Sequence, residues 1–311
     1  MTGRFYNSDG SAWQITDFIS FDICHGLGEP CDYYEVSFPY EKDMLSKLSR
    51  AYRFVAVHGD DDVFRGVVDE YTISIDEDSG EVVCVSGRSL AALLLDNEAE
   101  AASYGTLTLD TVIANHVAPW GIGTIKKKSM PALYEFTVNS GDSQWSVLKR
   151  YCRYSCGVQP RFSPNGVLIL NDESGNYVNL NDADITGSIR YRETRYGNIS
   201  EVLVRNRVSG ASYTVENSDF KSRGGSARRV INVPRTSGYD SMRYTGEYQI
   251  AEASRGKRYI LIDVPVLFAA FPADRATVSS TALGLHGTYT VSETHCYANA
   301  SGYGTEISLE V

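Results

Sequence analysis

The sequence predicts a mainly β protein with an α+β middle, in which two β-barrel modules flank a small α/β domain. Three observations carry that prediction. About ninety residues at the N-terminus hold five or six short alternating stretches parted by glycine- and aspartate-rich turns, the texture of a small barrel or sandwich. Past Asp96 the apolar residues switch to helical spacing. From Ser188 alternation returns and ends on an echo of the first segment. Glycines at 66 and 80 bracket strand and hairpin there, as glycines at 287 and 302 do at the C-terminus. The 27 glycines and 21 tyrosines, against 4 methionines, favour strands and turns. A length of 311 residues leaves room for two or three domains of about 100–150 residues each. The expected divisions are 1–97, 98–186 and 187–311, with an insertion near 235–257.

In the first segment, Ile15 to Ile23 and Tyr33 to Phe38 read as strands. Glu41 to Ala51 reads as a short helix with Met44, Leu45 and Leu48 on one face. Tyr52 to Val57 alternates up to the turn at His58-Gly59-Asp60-Asp61-Asp62. Val63 to Gly66, Tyr71 to Ile75 and Val82 to Val85 follow, with a hairpin turn at Glu77-Asp78-Ser79-Gly80. Next comes VVCVSGRSLAALLLD, residues 82–96: a strand, a polar turn at Ser86-Gly87-Arg88-Ser89, and a leucine-rich helix. Ser86 or Ser89 is expected to cap that helix, with Leu90, Leu93 and Leu94 packing it back on the barrel.

The polar, small-residue stretch Asn97 to Gly105 marks a domain border. Thr108 to Val117 reads as a helix and Phe136 to Val138 as a strand. Gly141-Asp142-Ser143 caps a helix whose buried stripe is Trp145, Leu148 and Cys152, and Gly157 stops it. Val158 to Phe162 and Val167 to Leu170 form a hairpin around Pro164-Asn165-Gly166. In the third segment Ser188 to Arg195, Ser200 to Arg207 and Ala211 to Val215 alternate, and Lys221 to Arg229 reads as a mobile loop. Arg258 to Leu267 is a buried strand interrupted by Pro265. Gly287 to Val291 and Thr305 to Val311 close the chain.

Composition excludes several functions. A net charge of −10 argues against coating duplex DNA, which needs a basic face, although a negative wall lets nucleic acid slide past without trapping it. No apolar run approaches the roughly 20 residues of a membrane span, and MTGRFYNSDGSAW lacks a signal peptide's layout, so the chain is expected to be made and left in a cytoplasm unless something larger carries it out. The six cysteines, Cys24, Cys31, Cys84, Cys152, Cys156 and Cys296, match no common disulfide framework. Cys24-His25 with Cys31, and Cys152 with Cys156, are followed by no second ligand pair at structural-zinc spacing, so no metal and no cofactor are expected.

Catalytic patterns are equally thin. A nucleophile elbow needs Gly-x-Ser-x-Gly, but Leu90 stands where its second glycine should be, and no phosphate loop is present. Asp60-Asp61-Asp62 and Asp76-Glu77-Asp78 read as solvated turns and lack the spaced pattern of a calcium loop. The five histidines are scattered, and no enzyme activity is expected.

Several residues carry a family resemblance. A strand ending in Phe64-Arg65-Gly66 leads through a hairpin to Ser86-Gly87-Arg88-Ser89, then to a leucine-rich helix ending at Asp96. GDSQWSVLKRYCRYSCGVQPRFSPNGVLIL resembles a LysM module, and GTYTVSETHCYANASGYGTEISLEV, from Gly287, resembles the family's closing strands. Together these resemble the late-control protein D family of phage tail hubs, which is similar to baseplate hub proteins of contractile tails and XkdQ-like proteins of defective prophages. Between about 215 and 280 the chain departs from the family pattern.

The resemblance implies a homotrimer whose two tube-type barrel modules per chain form a quasi-sixfold ring. The ring would join a tail tube or distal tail protein to a central spike protein and line a lumen for a tape-measure protein or DNA, without specific DNA binding or membrane insertion. It also implies a place at the tail tip or baseplate of a virion or tail-like particle, assembled in the bacterial host cytoplasm. Phe64, Gly66, Ser86, Gly87, Arg88, Ser89 and Gly287 become candidates for an inter-subunit contact or a structural corner, with Arg88 pinning it through an acidic partner. The alternative is a peptidoglycan- or glycan-binding module using exposed aromatics such as Trp120, Tyr151 and Tyr154.

Overall fold

The computed structural model of the chain describes residues 1–27, 30–77, 80–181, 188–206, 208–233 and 239–311. Asp78 and Ser79 of the expected hairpin turn, the expected boundary at 186/187, Arg207 and the start of the expected insertion lie outside them. Strands dominate, and most pairings are antiparallel. The chain divides into two compact units, Met1–Ser188 with Ile262–Ser308, and Ile189–Leu261 with Leu309–Val311. The segment expected as 187–311 therefore contributes to both.

In the first unit a four-stranded antiparallel sheet runs in the order Ala12–Ile15, Thr2–Asn7, Ala51–His58, Asp61–Val67. A larger sheet runs Gly302–Glu310, Leu285–Asn299, Ser20–Gly26, Tyr33–Pro39, Gly80–Arg88, Glu70–Asp76. Period-two burial explains each inner strand. Phe21, Ile23 and His25 alternate inward on one, Tyr34, Val36 and Phe38 on the next, and Val83, Val85 and Gly87 on the third. The shared core is aromatic, with Tyr34 stacked on Phe54 at 4.2 Å and Phe5 on Trp13 at 4.4 Å between centroids.

Leu285–Asn299 pairs with Ser20–Gly26, so strands from the two ends of the chain share one sheet. Arg275–Ser280 extends that sheet antiparallel to Leu285–Asn299, and Tyr177–Asn181 pairs parallel to Arg275–Ser280.

The α/β middle packs around the helix Gln144–Cys156. Ser143 Oγ accepts a hydrogen bond from the Ser146 amide at 3.1 Å, and Gly157 ends the helix at φ 74°. Trp145, Leu148 and Cys152 are its buried stripe, as the spacing predicts. The helix expected over 108–117 begins at Leu109, capped by Thr108, and continues as a π-helical turn over Ile113–Val117. Leu133–Val138 pairs with Ala102–Leu107, and Arg161–Phe162 forms a hairpin with Leu168–Leu170. His116 is a satisfied core histidine, held between Gln144 Oε1 at 2.8 Å and Tyr104 Oη at 3.1 Å.

The second unit holds a three-stranded sheet, Ser212–Glu216, Glu201–Asn206, Arg228–Val233, covered by the helix Tyr239–Ser254. Ile199, Val202, Val204 and Met242 form its core.

Several expectations are corrected. The stretch 15–23 is two strands parted by a break, Ala12–Ile15 and Ser20–Gly26. The short helix spans Met44–Leu48 and buries Met44 and Leu48, one turn apart, whereas Leu45 points outward. Lys221–Arg229 is not a loop throughout, because a helix, Ser218–Ser222, ends in it and the strand Arg228–Val233 starts there. Strand Arg258–Val264 stops at the residue before Pro265, whose ring cannot donate to a ladder.

Candidate functional site

Six of the seven candidate residues meet at one place, where the strand Asp61–Val67 crosses Gly80–Arg88. Gly66 and Gly87 make the crossing possible. A Cβ on Gly66 would lie 2.1 Å from the Arg88 carbonyl oxygen, and one on Gly87 would lie 2.0 Å from that of Val67. Any side chain at either position would force the backbones apart. The Phe64 ring, fully buried, lies under Gly66, and the Tyr34 ring lies against Gly87. The Asp69 amide donates to the Ser86 carbonyl at 3.0 Å, tying the strands just past the crossing. Gly287 lies outside this cluster, opposite Val278 in the Leu285–Asn299 strand.

The expected turn is corrected. Ser86, Gly87 and Arg88 are the last residues of a nine-residue strand, with Ser86 opposite Glu35 and Glu70. The helix that follows, Ala92–Leu95, starts from Ala91 and has no side-chain cap. Ser89 serves a different partner. Its Oγ accepts from the Asp32 amide at 3.1 Å, and its own amide donates to the Asp32 carbonyl at 2.9 Å. Asp32 in turn accepts from the Gly26 amide at 3.0 Å and faces the buried His25, whose Nε2 donates to the Val63 carbonyl at 3.0 Å. The helix also packs elsewhere than expected: Leu94 belongs to the core of the α/β middle, not to that of the barrel.

Arg88 closes the corner with two edges of its planar guanidinium group. Nε and Nη2 donate to Asp69 at 2.8 and 2.9 Å, and Nη1 and Nη2 donate to Asp96 at 3.0 and 2.7 Å. One side chain thereby ties the hairpin entry to the end of the short helix. The Arg88 hydrogen bonds hold the Asp96 carboxyl below its usual range, and the two carboxylates raise Arg88 further.

The aromatics of the glycan-binding alternative do not form a surface. Tyr151 is fully buried and donates to the Pro131 carbonyl at 2.9 Å, and Trp120 packs against the middle core. Tyr154 is exposed, with the Arg153 guanidinium over its ring. Cys24 and His25 point to opposite faces of their strand and cannot share an ion. Cys152 is a core thiol, pushed up to about 12 chiefly by burial.

Residues 91–172 match the family model of the second domain of gp44-like baseplate hub proteins. The middle of this chain is similar to that hub domain. The match begins at Ala91, immediately before the short helix whose Leu94 packs into the middle core. No curated protein matches the chain.

Solved structures cover it almost end to end. A 43 kDa tail protein of prophage MuSo2 from Shewanella oneidensis aligns over 100% of this chain and 98% of its own, at 16% identity and TM-score 0.81. A tail protein from Neisseria meningitidis MC58 aligns over 99% and 95%, at 16% identity and TM-score 0.77. The c3393 protein of E. coli aligns over 94% and 73%, at 11% identity and TM-score 0.59. It is a component of the type VI secretion system with structural similarity to T4 bacteriophage tail proteins gp27 and gp5. The chain is thus hub-like and phage-tail-like in fold, and the mainly β expectation with an α+β middle holds.

Proposed function

We propose that this protein is a structural tail hub: a homotrimer whose two β modules per chain form a quasi-sixfold ring between the tail tube and a central spike. The observation that carries this reading is the pairing of Leu285–Asn299 with Ser20–Gly26. It sets β strands from the start and the end of the chain edge to edge in one sheet, which supports the reading of adjoining modules. Three chains with two modules each would match a sixfold tube above and a threefold spike below. The similarity of c3393 to tail proteins gp27 and gp5 supports the same reading. So does a structure of a PdpA–VgrG complex, which aligns over 99% of this chain at 8% identity and TM-score 0.58.

The segments 1–97 and 187–311 would supply the two modules, and 98–186 the domain between them. The partners would be a spike protein, a tail tube or distal tail protein, and a tape-measure protein. The net charge of −10 suits a lumen past which DNA moves without binding. The hub would act by assembly and not by catalysis, at the tail tip of a particle built in the host cytoplasm.

Light-scattering mass in solution, with negative-stain images of the assembled particle, tests the proposal. A trimer and a ring with sixfold pseudosymmetry are expected. A strict monomer that never joins a tail overturns it, and pull-down by purified cell wall would favour the glycan-binding alternative.

A further inference from the structure

We propose that Asp22, Cys24 and His295 form a binding site for one divalent transition-metal ion of the zinc class, clasping the Ser20–Gly26 strand to Leu285–Asn299. The inference is independent of the hub reading. It rests first on register. His295 lies directly opposite Cys24 across the antiparallel pair, and Asp22 precedes Cys24 by the two residues that return a strand to the same face. The three side chains therefore project together from the face opposite the one that buries Phe21, Ile23 and Cys296.

Distance is the second support. His295 Nε2 lies 2.8 Å from Asp22 Oδ2, Cys24 Sγ lies 3.7 Å from Asp22 Oδ1, and the donor atoms all lie within 4.8 Å of one another. Zinc bonds of about 2.0–2.1 Å to nitrogen and oxygen and about 2.3 Å to sulfur give tetrahedral edges of about 3.5 Å. An ion thus fits once side chains on the two paired strands shift by about an ångström.

The donor chemistry is the third. One sulfur, one imidazole nitrogen and one carboxylate oxygen are a borderline-soft set, suited to Zn²⁺ or Co²⁺ and ill-suited to Mg²⁺ or Ca²⁺. Tyr33 Oη donates to Asp22 Oδ1 at 2.9 Å, which orients the carboxylate from behind and leaves Oδ2 for the ion. Asp22 and His295 are about a third exposed, at 36% and 35%, so an ion and a water as fourth ligand can enter. On binding, the Cys24 thiol proton leaves to solvent, and His295 ligates as a neutral imidazole through Nε2 with its proton on Nδ1. No redox partner is needed.

The test is titration of the metal-stripped, full-length protein with Co²⁺, followed by absorption. One equivalent per chain should give tetrahedral d–d bands with a thiolate-to-cobalt charge-transfer band, which added Zn²⁺ abolishes. Cys24→Ser and His295→Asn should lose the charge-transfer band, Tyr33→Phe should weaken binding roughly tenfold, and Cys156→Ser should leave it intact. Circular dichroism shows which variants are folded, and Tyr33→Phe keeps all three ligands should either ligand variant fail. Absence of a charge-transfer band in the wild type, its persistence in folded Cys24→Ser, or unchanged affinity in Tyr33→Phe overturns the proposal.

Discussion

Gly66 and Gly87 meet backbone to backbone: a Cβ on the first would sit 2.1 Å from the Arg88 carbonyl oxygen, and on the second 2.0 Å from that of Val67. The two contacts are reciprocal, because each glycine faces the neighbour of the other. Gly66→Ala or Gly87→Ala must therefore separate two strands of different sheets over an aromatic core. Each should cost more than about 3 kcal/mol, read as a lower urea midpoint. Gly105, with open space around its Cβ position, is the control, and Gly105→Ala should stay within about 0.5 kcal/mol.

Arg88 reaches Asp69 and Asp96 through four hydrogen bonds from one planar group. The site is about a third exposed, so solvent screening holds its worth to roughly 1–2 kcal/mol. Arg88→Ala should destabilise the protomer by that amount in chemical denaturation. Arg88→Lys should recover less than half, since an ammonium cannot serve both carboxylates in one plane. If the corner supports a ring, assembly should weaken in the same order.

Asp96 supplies a pH signature. Hydrogen bonds from Arg88 lower its folded-state pKa relative to the unfolded chain. A depressed carboxyl stabilises the fold above its unfolded value, about 3.9, and loses that contribution as pH falls through the folded value. The stability gap between wild type and Asp96→Asn should thus be constant above about pH 5 and shrink on further acidification. Exposure of 56% keeps the gap at a few tenths to about 1 kcal/mol. A gap independent of pH down to pH 2 would sink this account.

Ser89 distinguishes a strand crossing from a helix cap. Ser89→Ala leaves the Asp32 amide without its side-chain acceptor, at a cost of about 1 kcal/mol. Protection from hydrogen exchange should fall at Asp32 and stay unchanged in Ala92–Leu95. A loss confined to that helix would restore the capping role.

Much of the architecture was legible because it is written in local periods. Tyr33–Pro39 and Gly80–Arg88 alternate cleanly, and Ser143 and Gly157 bracket a helix with the buried stripe its spacing demands. The corner residues were legible as a set but not in their roles. Ser86-Gly87-Arg88-Ser89 has the composition of a turn, and only the pairing with Tyr33–Pro39 carries it on as strand through Arg88. The helix Tyr239–Ser254 is not legible in the sequence because its packing face does not announce itself. Gly246, not an apolar stripe, lets the helix approach Val215, and among its described side chains Met242 is the buried core residue.

Sequence by itself determined strands such as Tyr33–Pro39 and Glu201–Asn206, and where the middle helix starts and stops, since these follow from side-chain alternation and capping within a few residues. Tertiary structure alone decided which strands became neighbours. Strand Tyr177–Asn181 joins Arg275–Ser280 in parallel, and Ser20–Gly26 joins Leu285–Asn299, bringing Asp22 and His295 together across 273 residues. Loop closure over such distances costs entropy that no local pattern records, and the burial that offsets it exists only once both partners are in place.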